Sequence, residues 1–260
     1  MTASTITPRL IGFRPLLRKD AREWLRGRRA WVVLVATSVI MALTAASAWI
    51  NTTLQGAFPE EGVEIEPVSM LPIDNLAAAI GFPVFVFATM LVVAGLIVRE
   101  REAGTLAWVA SKPVSRGSII VSKWASATGM LAGTAVAVPL AVTVAVVAGL
   151  YGAPDPLLVV ALAIGMAASV AYFVAVTLLL GTVLPGQPAI VAVAFVVWSL
   201  PSVLGLLPAP VAQLDPSAIL GWTVGLASGA DVGILTPLAW AAITVALVGL
   251  AIRRVNRMEL

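Results

Sequence analysis

The stretch Arg99–Lys123, REREAGTLAWVASKPVSRGSIIVSK, is the one long charged segment between the apolar runs of this chain. It contains five of the sixteen lysines and arginines, and each of its flanks is long enough to cross a bilayer. In a soluble protein it would be a surface loop. In a membrane protein it would join two spans on one side of the membrane, and the rest of the sequence decides between these alternatives.

The composition favours a membrane protein. Hydrophobic residues make up 60% of the chain, charged residues make up 11%, and the mean hydropathy is +1.02. Soluble domains contain roughly 45–50% apolar and about 25% charged residues. With 260 residues and several long apolar runs, the chain is predicted to be a single all-α polytopic domain over residues 1–260.

Six transmembrane helices are predicted from the apolar runs. Their boundaries are 30–50, 76–98, 125–150, 157–184, 189–207 and 235–252. The first run is too long for a cleaved signal peptide. Residues 9–29 before it are predicted to form an amphipathic helix in the membrane interface, with Trp24 at the level of the headgroups and Arg18, Arg22 and Arg26 on the polar side. The alternative is a plain basic flank of the first span.

Small residues at four-residue spacing predict close helix packing. Gly129 and Gly133 lie in the third span, and Gly221, Gly225 and Gly229 lie in the less apolar segment 208–235. That segment is predicted to form short re-entrant helices on the outer side, between spans five and six. Two alternatives stay open, namely that glycine is simply common in such spans and that 208–235 is a flexible loop.

The basic residues all lie on one side of the predicted topology. All sixteen lysines and arginines precede the first span, lie in the Arg99–Lys123 segment or follow the last span. The charged residues of the opposite loops are all acidic, namely Glu60, Glu61, Glu64, Glu66, Asp74, Asp155, Asp215 and Asp231. The positive-inside rule therefore predicts a cytoplasmic membrane protein whose N- and C-termini are both cytoplasmic.

The sequence offers no catalytic chemistry of its own. Histidine and cysteine are absent, which removes the commonest general base and the thiolate metal ligands. None of the three lysines (Lys19, Lys112 and Lys123) follows a glycine, as a phosphate-binding loop requires. No catalytic, cofactor-binding or metal-binding residue is therefore predicted, and any transport must use the energy of a partner.

The Arg99–Lys123 segment resembles the loop after the second span in permeases of ABC-2-type transporters. The residues that carry the resemblance are Glu100, Glu102 and Gly104-Thr105-Leu106, followed by Pro113, Ser115-Arg116 and Lys123. The closest group includes the membrane subunit of the nitrous-oxide-reductase maturation transporter and many drug or bacteriocin exporters. Several relatives have an acidic residue one turn before the first glutamate, where this chain has Gly95.

The resemblance implies an ATP-driven exporter. It implies two permease copies, as a homodimer or a heterodimer, bound to two cytoplasmic ATPase subunits that hold ATP and magnesium. It further implies a coupling helix between spans two and three. The coupling residues would be Glu100, Arg101, Glu102, Gly104, Thr105, Leu106 and Arg116. The partners are thus ATPases, a second permease and lipid, with no nucleic acid. A non-transporting membrane scaffold is the alternative function, and a passive channel is disfavoured because no filter sequence is visible.

Overall fold

The fold is a bundle of helices, known from a computed structural model that describes residues 12–57, 70–81, 84–103, 115–204, 214–215 and 218–257. Every regular element within these residues is helical. The helices are α1 (Phe13–Arg26), α2 (Arg28–Ala57), α3 (Pro72–Gly81), α4 (Val84–Glu102), α5 (Arg116–Leu131), α6 (Val138–Tyr151), α7 (Pro156–Val183), α8 (Gln187–Leu204), α9 (Ile219–Ala227) and α10 (Leu235–Arg257). A π-helical segment, Ala132–Ala137, joins α5 to α6.

The predicted all-α polytopic fold is confirmed. Five helical stretches of the described chain are long and apolar enough to cross a membrane: Arg28–Gln55, Pro72–Glu100, Arg116–Tyr151, Pro156–Val183 and Leu235–Arg257. The predicted span 189–207 corresponds to α8, whose apolar part is the shorter stretch Gln187–Ser199. The helix that contains the predicted third span begins nine residues before residue 125, at Arg116.

The long helices begin where the sequence supplies a cap. The Ser115 hydroxyl accepts a hydrogen bond from the Ser118 amide at 3.2 Å and caps the start of α5. The Asp155 carboxylate accepts a hydrogen bond from the Leu157 amide at 2.9 Å, with Pro156 in the first position of α7. Both caps satisfy amide groups that a helix leaves without partners.

The π-helical segment coincides with a proline. Pro139 has no amide hydrogen and its ring would collide with the carbonyl four residues before it in a regular α-helix. The chain instead widens over Ala132–Ala137, and the Val138 amide donates to the carbonyl of Gly133, five residues back. The stretch from Arg116 to Tyr151 thereby stays continuous over 36 residues.

Helix α7 lies at the centre of the bundle, in contact with α4, α5, α8, α9 and α10. Two indoles fix it from neighbouring helices. Trp124 Nε1 of α5 donates to the Ala171 carbonyl at 3.0 Å, and Trp240 Nε1 of α10 donates to the Ala168 carbonyl at 3.0 Å. Such bonds between spans typically contribute about 0.6–2 kcal/mol each.

The helix ends divide the bundle into two ends of different charge. The acidic end is where α2 and α6 finish, where α3 and α7 begin and where Asp74, Asp155 and Asp231 lie. There the Tyr151 hydroxyl donates to the Ala45 carbonyl at 3.0 Å and accepts from the Trp49 amide at 2.9 Å. The basic end is where α4 and α10 finish and where α2 and α5 begin.

Helix α9 packs on α7 at a glycine. A Cβ atom on Gly165 would collide with Thr223 Oγ1 and would lie 3.0 Å from the Cα atom of Leu220, so only glycine permits this approach. Gly165 is nine residues into α7, about 14 Å along its axis. The short helix predicted within 208–235 is therefore present, and its insertion into the bilayer stays a prediction.

The glycines at four-residue spacing in segment 208–235 do not all lie in a helix. This corrects the predicted role of Gly229 in helix packing. Helix α9 ends at Ala227, and Gly229 follows it with φ 74°. The Gly229 amide donates to Leu226 at 3.2 Å and the Ala230 amide donates to Gly225 at 2.9 Å, which is the pattern of a Schellman motif. Gly229 thus terminates a helix, because glycine adopts the left-handed conformation without steric cost.

Candidate functional site

The predicted interfacial helix is α1, which packs against α5 at the basic end. Arg18, Arg22 and Arg26 are exposed on it, as expected. That Trp24 lies at the level of the headgroups stays a prediction. Its side chain is only 7% exposed, so it attaches α1 to the bundle, whereas its neighbour Leu25 is 63% exposed.

An ion pair joins the two ends of the Arg99–Lys123 segment. The Lys123 Nζ of α5 lies 2.5 Å from the Glu100 Oε1 of α4, with side-chain exposures of 10% and 24%. Removal of one partner from such a shielded pair leaves an uncompensated charge and destabilises strongly. Glu100 was predicted to contact an ATPase, and the structure shows that it also holds α4 to α5.

Asp20 brings α1 to the same place. Burial raises the pKa of the Asp20 carboxyl, the positive charge of Lys123 opposes this shift, and the negative charge of Glu100 adds to it. Within α1, Lys19 lowers this pKa and Glu23 raises it, both more weakly. One ammonium group on α5 therefore faces carboxylates from both α1 and α4. Sequence spacing did not single out Asp20, because its neighbours come from other helices.

Arg116 also has a partner within the chain. Its Nη1 donates to the carbonyls of Val255 and Asn256, each at 3.1 Å, in the last turn of α10. Carbonyls at a helix C-terminus lack intrahelical partners and carry partial negative charge, so a guanidinium stabilises this end. Arg116 was predicted to face an ATPase, and the geometry gives it the further role of joining α5 to α10.

The other predicted coupling residues divide into two groups. The side chain of Glu102 is exposed at the end of α4 and is thus accessible from the basic end. Gly104, Thr105, Leu106, the side chain of Arg101 and the predicted coupling helix lie outside the described residues. The described flanks of this segment, the end of α4 and the start of α5, are joined to each other by Glu100–Lys123 and to the end of α10 by Arg116.

The predicted packing glycines differ in their surroundings. A Cβ atom on Gly129, Gly133 or Gly221 would meet no atom within 4 Å, so these glycines make no close approach within the described chain. A Cβ atom on Gly225 would lie 2.7 Å from Val232 Cγ1. The glycine with the closest approach, Gly165, was not predicted, although Gly165 and the buried Ser169 form a pair of small residues four positions apart.

A cavity of about 380 Å³ opens beside the Glu100–Lys123 pair. Its walls come from α1, the start of α2, the last two turns of α4 and the middle of α5. Within the described parts of the chain, no group of three or more acids lies close enough to hold a metal ion. The cavity is therefore a site of mixed charge that borders the interfacial helix.

The chain matches a known protein family. The family model described as ABC-2 family transporter protein matches residues 14–243, from α1 into α10. No curated protein matches the chain, and the narrower likeness to the nitrous-oxide-reductase maturation transporter stays a prediction. Because the family model covers most of the 260 residues, the chain belongs to the ABC-2 transporter family, whose members are membrane permease subunits that work with ABC ATPases.

Proposed function

We propose that this permease exports a substrate across the cytoplasmic membrane by alternating access, driven by ATP hydrolysis in separate ATPase subunits. Two copies of the permease would form the pathway and two ATPases would bind at the basic end. The observation that carries the proposal is the attachment of the Arg99–Lys123 segment to α4 and α10 through Glu100–Lys123 and Arg116, together with the packing of α1 against α5. A force on this segment would reach four helices together.

The basic end would face the cytoplasm. The sixteen bases of the chain lie on this side of the predicted topology, and the loops of the other side contain only acids. The cytoplasm is also where ATP is available to the partner. Both termini would then be cytoplasmic, with α9 on the outer side.

Single-cysteine labelling tests this orientation, because the natural chain has no cysteine. Ala103 and Ala230 are both exposed, at the basic and acidic ends respectively. With an impermeant maleimide on intact cells, Ala230→Cys should be labelled and Ala103→Cys should be labelled only after permeabilisation. The reverse result would place the ATPase-binding end outside and contradict the proposal.

Export itself is tested in inverted membrane vesicles from cells that contain the permease and its ATPase. ATP should drive accumulation of the substrate inside these vesicles, and a non-hydrolysable ATP analogue should not. An ATPase should also co-purify with the permease. Co-purification without ATP-dependent accumulation would instead favour a scaffold, and accumulation only in right-side-out vesicles would favour import.

A further inference from the structure

The cavity at the basic end combines charges of both signs. Asp20 and the Glu100–Lys123 pair lie on its inner wall, and the exposed Arg28 and Arg29 of α2 lie at its opening. The volume of about 380 Å³ falls within the range of ligand pockets, roughly 300–1,000 Å³. A ligand that fills it would meet a carboxylate at one side and two guanidinium groups at the other.

Apolar side chains also line the cavity, namely Leu96 one turn before Glu100 in α4, and Ala127 and Met130 one and two turns after Lys123 in α5. The continuous helical stretch Arg116–Tyr151 has 36 residues and is about 54 Å long, against a hydrocarbon core of about 30 Å. Since Tyr151 is followed at once by a short turn into α7, the excess length of about 16 residues belongs mainly to the basic end. This division of the length would place Met130 near the edge of the hydrocarbon and Lys123 among the headgroups.

Two polar groups in the cavity wall can each make a further hydrogen bond. In the part of the chain that the structure describes, the Asp20 carboxylate makes no hydrogen bond or ion pair of its own, since Lys123 bonds to Glu100. Trp24 is 7% exposed, and its indole N–H has no acceptor among the described residues. Burial of such groups is costly unless a ligand or water satisfies them.

We propose that this cavity binds the phosphoethanolamine headgroup of a membrane phospholipid. The ammonium group donates to Asp20, the phosphate lies between Arg28 and Arg29, and the start of the acyl chains contacts Leu96 and Met130. Binding supplies Asp20 with a directly bonded cation, in addition to the Lys123 ammonium that already acts on it. The lipid would thereby hold α1 against α4 and α5.

The charges of the cavity distinguish this headgroup from other common ones. Phosphatidylglycerol provides the phosphate and hydroxyl donors but no cation, so its hydrogen bond to Asp20 would come from a neutral donor and would be the weaker one. Phosphatidylcholine has a quaternary ammonium group that donates no N–H hydrogen bond and is bulkier. Phosphatidylethanolamine alone of the three matches the acidic wall and the basic opening together.

The binding experiment uses the full-length permease reconstituted in vesicles that contain equal amounts of phosphatidylethanolamine, its N-methylated derivatives, phosphatidylcholine and phosphatidylglycerol. After mild extraction, native mass spectrometry counts the lipid retained per chain. We expect one phosphatidylethanolamine per chain, retained about tenfold over the other two classes, with retention falling at each N-methylation. Equal retention of all lipids, or preference for phosphatidylglycerol, would overturn the proposal.

Variants then locate the site. Asp20→Asn should abolish the preference for phosphatidylethanolamine over phosphatidylcholine, and Arg28→Gln with Arg29→Gln should lower retention of every phospholipid. The matched control is Arg253→Gln with Arg254→Gln, which removes two exposed charges from the same end outside the cavity and should retain lipid as the wild type does. Wild-type retention by Asp20→Asn would overturn the assignment, and the N-methylation series decides alone if that variant fails to fold. The readout does not depend on ATPase coupling, so its outcome is separate from that of the proposed export.

Discussion

At the scale of single residues, the motif between α4 and α5 contains side chains that serve the chain itself. Glu100 forms an ion pair with Lys123, and Arg116 donates to the end of α10. Both Glu100 and Arg116 therefore have contacts within the chain. The sequence pattern identified these residues as important but not their contacts. The reason is physical: the pattern contains both Glu100 and Lys123 but does not show that they pair across 23 residues, and the partners of Arg116 are about 139 residues away in α10.

Asp20 gives a stability prediction for protein free of phosphatidylethanolamine. Burial raises the pKa of its carboxyl above the ordinary value of 3.8, so the folded chain binds the proton more tightly than the unfolded chain. The stability it contributes is present below 3.8 and is lost as the pH rises through the higher pKa of the folded state.

The measurement is thermal unfolding in detergent micelles as a function of pH. Asp20→Asn should be at least as stable as the wild type at neutral pH and should lose that part of the pH dependence. Asp231→Asn, which changes an exposed acid at the acidic end, is the control and should follow the wild type. A neutral-pH loss of stability in Asp20→Asn without lipid would contradict the expected sign.

At the scale of helices, the sequence predicted well that these segments are helical, and it predicted poorly how the helices pack. The positions of the helices follow from the long apolar runs, from the Ser115 cap and from the basic face of α1. The central position of α7, the π-helical segment and the approach at Gly165 depend on which faces meet. Spans that are apolar on all sides do not reveal this, because lipid-facing and protein-facing positions have similar composition.

Arg116 is expected to stabilise the last turn of α10. In Arg116→Gln the carbonyls of Val255 and Asn256 lose a charged donor, a loss of about 1 kcal/mol. Hydrogen–deuterium exchange of the α10 C-terminus should become about fivefold faster. Arg253→Gln removes an exposed arginine nearby and should change exchange much less; equal acceleration in both variants would refute the capping role.

Gly165 is expected to be needed for the packing of α9 on α7. Gly165→Ala places a methyl group against Thr223 and the Leu220 backbone, and overpacking typically costs about 1–3 kcal/mol. Thermal unfolding of the purified permease should show this loss. Gly221→Ala is the matched control in α9, since its methyl group would meet no atom within 4 Å, and it should be neutral or stabilising. Equal stability of both variants would show that the contact is not tight.

At the scale of the whole molecule, the charge distribution is the feature that sequence revealed most completely. The separation of sixteen bases from eight outer acids predicts a topology without any knowledge of packing. The family match over residues 14–243 then identifies a permease. The attachment of the Arg99–Lys123 segment to several helices could not be predicted, because it depends on pairs such as Glu100–Lys123 that form only in the folded bundle.

The central claim is that this segment couples a partner ATPase to the permease, and Glu102 is the residue that tests it most cleanly, because its side chain is exposed. The measurement is the number of substrate molecules transported per ATP hydrolysed by the purified permease–ATPase complex. Glu102→Ala should lower this ratio about tenfold while the permease still inserts and folds. Asp231→Ala, an exposed acid at the opposite end, should leave the ratio unchanged. An unchanged ratio and unchanged ATPase co-purification in Glu102→Ala would contradict the claim.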